Sequence, residues 1–426
     1  MSPIKDHDLR YQLANELHAR PFPTLAAPCR AAFLAIKRPK DAAARDRDQD
    51  RAHLIALLDR YGAAHPQPGA THYFGQIGRH ALKWESHTEF VTYTIFGDGV
   101  ADTPFDASTF GMFPEDWLAN APGDRITSAL IRVEVCKDMS TIPAKVENWF
   151  VPESLAISAV LDQTAVIAGD FRIDAAGHMR FAMFATGEMG PRRIGRVLQR
   201  VCEIETYKSM SMLGLARARG LGSVIGDING KLTGLMSQMQ GSDVGSEETL
   251  KGLLEVSAEL ETTLAHSAFR FGATDAYDAL VHQRIAVLRE ERFDGRQTFA
   301  EFMMRRFDPA MRTVKAVEGQ LRTMAERAER AANLLRTRVD VERSAQNQEL
   351  LASMDRRADL QLRLQKTVEG FSVAAISYYA VNLVSYLTFP IFEGFGLGKT
   401  AALSLLTPVV LALVWLIVQR IRRSVE

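Results

Sequence analysis

Two uncharged runs near the end of the chain decide how the rest is read: residues 371–392, FSVAAISYYAVNLVSYLTFPIF, and residues 401–418, AALSLLTPVVLALVWLIV. Each approaches the ~20 apolar residues that carry a helix across a hydrocarbon core. Between them Glu393-Gly394-Phe395-Gly396-Leu397-Gly398-Lys399 makes a short connector. The pair predicts a transmembrane helical hairpin. Arg356, Arg357, Arg363 and Lys366 precede it and Arg420, Arg422 and Arg423 follow, whereas the connector carries one charge of each sign. By the positive-inside rule both termini and the large N-terminal region lie in the cytoplasm, at the inner (cytoplasmic) membrane.

Reading back from residue 371, nothing stops a helix until Asp308-Pro309. There an N-cap acceptor precedes a proline at the first helical position, where a missing N–H costs nothing. The next proline is Pro390, and only Gly319 and Gly370 intervene as glycines. At ~1.5 Å per residue this helix is roughly 120 Å long. Val314, Val317, Leu321, Met324, Ala328, Ala331 and Leu335 alternate spacings of three and four, a heptad seam. Glu318, Arg322, Glu326, Arg327, Glu329 and Arg330 occupy the other faces. The seam is expected to pack against partner helices, as the contact of a homo-oligomer.

At 426 residues the chain is expected to hold two or three units. Lys plus Arg and Asp plus Glu number 51 each, without the basic surplus of a nucleic-acid binder, so no nucleic-acid partner is expected. Cys29, Cys136 and Cys202 lie far apart without CxxC spacing, which fits a reducing cytoplasm. Met1 to His7 include no apolar run of the signal-peptide kind, so insertion is expected to rest on the hairpin.

The N-terminal part reads as α+β with a mostly antiparallel sheet and helices. Strands are expected at 31–37, 72–77, 81–85, 89–96, 126–135, 155–161, 164–172 and 179–184, with a helix over 46–61. From Pro191 the pattern turns helical, over 191–219, 220–245, 247–271, 276–292 and 298–306. The division expected is a cytoplasmic α+β domain (1–190), a helical domain (191–307), a long stalk helix (308–370) and the hairpin (371–423).

Chemistry is sparse. Gly394 to Thr400 resembles the end of a phosphate-binding loop, but the glycine that pattern needs is replaced by Glu393. His65, His72, His80 and His87 have no acidic or cysteine partner at ligand spacing, so no metal set can be named. No nucleophile elbow or zinc motif is present, and neither an enzyme nor a cofactor is expected. The first span is more informative. Tyr378, Asn382 and Ser385 recur on one helical face, with Thr388 near its end. In hydrocarbon such groups need partners, either neighbouring helices or water. One reading is interhelical hydrogen bonding. The other is a pore-lining stripe, with Glu393, Gly394, Phe395 and Gly396 at its mouth.

Three sets of residues carry a family resemblance. They are Leu9-Arg10-Tyr11 with Asn15 to Pro23; Leu334 to Val339 with Gln346-Asn347; and Gln361 to Gln365 with Val368-Glu369-Gly370 and Ser377-Tyr378-Tyr379. Together they are similar to a proteobacterial family of membrane-anchored proteins, domain of unknown function 3422. That resemblance implies a membrane-anchored cytoplasmic protein and supplies no activity. The architecture also resembles the CorA-type cation transporters, implying a pentamer whose first span lines a cation pore. The chain departs from their Gly-Met-Asn hallmark, having Gly394-Phe395-Gly396 instead. Two functions stay open. One is a homo-oligomeric ion channel or transporter; the other is a membrane-anchored scaffold or sensor displaying its cytoplasmic domain to a protein partner.

Overall fold

The computed structural model describes residues 4–16, 22–39, 44–239, 245–394 and 399–425. A first short helix, α1 (Arg10–Glu16), precedes strand β1 (Cys29–Lys37), which is an interior strand of a nine-stranded sheet. Its sequence is apolar on consecutive positions because both faces are covered. Ala31, Phe33 and Ala35 enter one core, and Ala32, Leu34 and Ile36 the other.

The strands that follow are β2 (His72–Ile77), β3 (His80–Ser86), β4 (Phe90–Asp98), β5 (Asp124–Val135), β6 (Ala156–Val160), β7 (Ala165–Gly169), β8 (Met179–Ala185) and β9 (Glu291–Arg292). Their order across the sheet is β2-β3-β4-β1-β5-β8-β7-β6-β9. Only β5 and β8 run parallel among the described pairings. The mixed α+β fold with a mostly antiparallel sheet is therefore established.

One face of the sheet is covered by α2 (Arg47–Arg60) and α3 (Glu115–Ala119) over β1, β3 and β4, and by α4 (Ile142–Trp149) over β6 to β8. Helix α2 starts where Asp46 accepts a hydrogen bond from the Asp48 amide at 2.9 Å, and Leu54, Leu57 and Leu58 form its buried stripe. The opposite face is covered by α5 (Pro191–Gly220), the end of α7 (Ser246–Ala286), α8 (Phe299–Arg306) and the first turns of α9 (Asp308–Gly394). Helix α6 (Gly222–Gln238) lies between α5 and α7 in sequence, and α10 (Lys399–Val425) closes the chain.

The division expected at residue 190 is corrected by this packing. Helices after Pro191 share one core with the sheet, since Val197, Val281, Phe299 and Met311 pack with Phe33 and Phe181. The ninth strand also comes from beyond the helices, pairing Arg292 with Ser158. The compact units are residues 1–243 with 251–331, and residues 244–250 with 332–426.

A break expected near Gly272 is also absent, and α7 runs unbroken for 41 residues. One glycine within a helical pattern costs only ~1 kcal/mol and does not end it. Close packing fixes the region instead. A Cβ at Gly214 of α5 would fall 2.2 Å from Thr274 Oγ1 of α7, so only glycine permits that approach. Arg217 of α5 donates to Ser267 Oγ of α7 at 3.1 Å.

Candidate functional site: the bare helix and the membrane hairpin

Helix α9 is 87 residues long and changes character along its length. In its first part the heptad seam is covered by the chain itself. Leu321 and Ala328 are fully buried, Val314, Met324, Ala331 and Leu335 nearly so, and Val317 is half-buried. Lys315 bridges Asp275 at 3.0 Å and Asp278 at 3.4 Å, both on α7, and Arg327 approaches Met236 of α6. These positions therefore leave no apolar seam for a second copy. Periodicity had reported a covered face, and the cover comes from within.

Val339 is the last buried residue of this stripe, and none from Asp340 to Gly370 is buried. At its start Glu342 accepts from Ser246 at 3.0 Å and Arg343 pairs with Glu247 at 2.6 Å. Beyond, Leu350, Leu351, Met354, Leu360, Leu364 and Val368 are all exposed. Leu351, Met354, Ala358, Gln361, Gln365 and Val368 alternate spacings of three and four. That is a second heptad seam, four positions apolar and two amide, with none of the described residues burying it.

The same helix continues into the first uncharged run. Its window and that of α10 are both apolar and long enough to cross a membrane. The helix ends at Gly394 and the next described helix begins at Lys399, so Phe395 and Gly396 lie outside the described residues. Glu393 and Gly394 form the last turn of α9. Pro390 and Pro408 sit inside their helices.

The polar stripe of the first span finds its partners locally. Asn382 donates to the Tyr378 carbonyl at 3.0 Å, Ser385 to the Val381 carbonyl at 2.6 Å and Thr388 to the Val384 carbonyl at 2.7 Å. Asn382, Ser385 and Thr388 are half-buried with Val373, Ser377, Val381 and Val384, whereas Tyr378, Tyr379 and Tyr386 are exposed. On α10 the covered residues are Ala402, Val410 and Val414. The four expected pore residues thus divide: three satisfy their own backbone along a partly covered side, and the Tyr378 ring stands out beside Tyr379.

A protein-family model matches residues 5–425, nearly the whole chain. The chain belongs to the DUF3422 family. That family is described as a protein of unknown function. No curated protein and no solved structure matches this DUF3422 chain, so the CorA-type layout has no solved relative behind it.

A second cluster of this DUF3422 protein escapes sequence periodicity. On the α5 side of the sheet, Lys83 and Glu85 of β3 and Thr92 and Thr94 of β4 line a narrow cavity of ≈ 20 Å³, room for about one water. Lys83 donates to Gln199 of α5 and lies 3.3 Å from Glu85. Gln199 donates to Glu203 at 2.8 Å, and Glu203 accepts from Arg284 of α7. Nearby Glu205, fully buried, accepts from Thr127 at 2.8 Å and Ser209 at 3.0 Å and pairs with Lys208 at 2.9 Å. Glu89 is held by Arg270 and by Tyr277 at 3.1 Å.

Burial pushes the Tyr277 phenol well above its ordinary range, and the Glu89 carboxylate adds to this, so Tyr277 remains a donor. Burial likewise raises the Cys202 thiol, helped by Glu203, which leaves it protonated and inert. The cluster clamps α5 and α7 to the sheet. Its signal in the sequence is only Lys83-Trp84-Glu85, an alternation that ordinarily marks a solvent face.

Proposed function

We propose that this protein is a membrane-anchored homo-oligomer whose copies associate through the bare part of α9 and display the sheet domain to a protein partner as a scaffold or sensor. The observation that carries this reading is the second seam, from Leu351 to Val368, whose side chains are uncovered in one chain. A fully buried Leu or Met side chain contributes ~1.5–3 kcal/mol relative to an exposed one, which favours association over leaving the seam in water. Copies inserted in one bilayer with one topology present this seam in parallel and in register, the arrangement that closed cyclic assemblies repeat. The basic flanks before residue 371 and after residue 418 favour the inner membrane, with both termini cytoplasmic.

Light scattering on the full chain in neutral detergent tests this. A mass of several chains is expected, falling to one chain in the Leu351→Asp, Met354→Asp double variant. A single-chain mass for the unaltered protein would overturn the proposal.

A second reading, a CorA-like channel or transporter, draws on the amide of Asn382 and the exposed ring of Tyr378 in an uncharged span. In it Tyr378, Asn382, Ser385 and Thr388 line the conduit, with Glu393 to Gly396 at the mouth and cations as cargo. Cation flux into proteoliposomes, abolished by Asn382→Leu with assembly intact, is the expected result. Flux equal to that of empty vesicles removes the reading.

A further inference from the structure

On the sheet domain, two guanidinium groups share an open groove of ≈ 690 Å³. Strands β2 and β3 join through the two-residue turn Gly78-Arg79, with Gly78 at φ +59°, and His80 opens β3. The turn rests on Tyr61, since a Cβ on Gly78 would come 3.2 Å from that ring. The His80 ring in turn lies on Gly97 of β4, where a Cβ would meet Nδ1 at 3.2 Å. Arg30, near the start of β1, is fixed by Nη1, which donates to the Asp98 carbonyl at 2.6 Å and the Gly99 carbonyl at 3.1 Å. Thr109 and Met112, from a 3-10 helix at Ala107–Met112, line the groove as well.

The charges here are unbalanced. Neither Arg30 nor Arg79 forms an ion pair among the described residues, although the chain has as many acidic as basic side chains. Among the described residues Arg79 makes a side-chain contact from Nε to His80 Nε2 at 3.3 Å, with that nitrogen accepting. Burial depresses the His80 pKa first, and Arg79 and Arg30 add to it against weaker opposing effects of a hydrogen bond to the Phe96 backbone and of Asp98. The local field is therefore positive. Guanidinium forks match phosphate oxygens in shape as well as charge, and the volume lies within the range of small-molecule sites.

We propose that this groove binds a phosphate-bearing ligand with a flat organic body, the phosphate on Arg30 and Arg79 and the body against Tyr61 and Met112. The same chemistry is offered by a soluble phosphate ester or by a lipid headgroup, and the probes separate them. Calorimetric titration of the full chain in neutral detergent would use adenosine monophosphate, adenosine, inorganic sulfate and micellar phosphatidic acid. Adenosine monophosphate binding without adenosine binding identifies a soluble ester, and phosphatidic acid binding alone identifies a headgroup; either supports the site.

Arg79 is exposed, so Arg79→Ala is expected to leave the melting temperature unchanged and weaken binding ~10-fold, the share of one charge-assisted hydrogen bond. Sulfate keeps its charge across the histidine range. Its affinity is expected to rise as pH falls below about 6.5, where His80, facing Arg79, Arg30 and Asp98, gains a proton. His80→Gln is expected to flatten that rise. No heat with any probe, or binding unchanged by Arg79→Ala and Arg79→Glu, would overturn the proposal.

Discussion

Lys83 and Glu85 on β3 keep 5% and 7% of their surface exposed, while Leu350 and Leu364 on α9 keep 62% and 67%. Each pair stands where residue type alone would not put it. The difference lies in what has been placed against them. Helix α5 lies over β3 and brings its own polar groups, Gln199 and Glu203, so the charges enter the interior already matched. Among the described residues none covers the bare part of α9, and its leucines stay exposed. Burial in this protein is thus a property of pairs of elements, and a side chain's polarity shows which kind of partner it needs.

The largest expected effect tests the two halves of one helix against each other. Leu321 is fully buried, so Leu321→Asp places an unpaired charge in an apolar setting and is expected to cost ~4 kcal/mol or more, read as a fall in thermal midpoint. Leu351→Asp, the same change on the bare part, is expected to weaken association while lowering the midpoint of the sheet domain far less. Equal losses at both positions would erase the distinction.

A smaller effect tests the matched charges. Arg270→Ala strands Glu89, which is 1% exposed, and is expected to destabilise by ~3–5 kcal/mol in chemical unfolding. Replacing both partners by Glu89→Leu with Arg270→Met is expected to recover much of that loss. A double variant no better than the single one would mean that the pair's value does not lie in charge matching.

The smallest effect is on pH. His53 donates from Nε2 to the Trp117 carbonyl at 3.1 Å and accepts at Nδ1 from Tyr93 at 2.9 Å, stacked on Trp117. Burial lowers its pKa, as it does for His178 and His80. A histidine depressed in the folded state favours folding above its unfolded pKa of about 6.5, and that contribution is lost as pH falls through the folded value. Thermal midpoints are expected to drop on acidification below about pH 6.5, less so in His53→Asn. Parallel midpoint curves for the two proteins would exclude His53 from the effect.

Much of the fold was legible because its signals are local. Strand β1 is apolar on successive residues, α2 carries its own N-cap at Asp46, and the uncharged runs at 371 and 401 need no partner to be recognised. The missing parts are relational. The seam at Leu321 announces a covered face but not whose helix covers it, and the answer is α7 and α6 of the same chain. Lys83 and Glu85 read as a wet face because α5 lies more than a hundred residues away in sequence. Arg30 on β1 and Arg79 in the β2–β3 turn line one groove although they are far apart in sequence, which no spacing rule anticipates. Strand β9 has two residues, too few for any alternation to register.

That short strand bears on the order in which the molecule can be made. Its pairing joins Ser158 to Arg292, and the core beneath closes only with Phe299, Met303 and Met311. A nascent chain emerging N-terminus first therefore holds eight strands without their last edge while α5, α6 and α7 are still being synthesised. Contacts so distant in sequence close slowly. The final strand and the final core residues leave the ribosome before the first uncharged run. Closure of the sheet domain and emergence of that run are consecutive events on one template, and a pause between residues 292 and 371 would separate them.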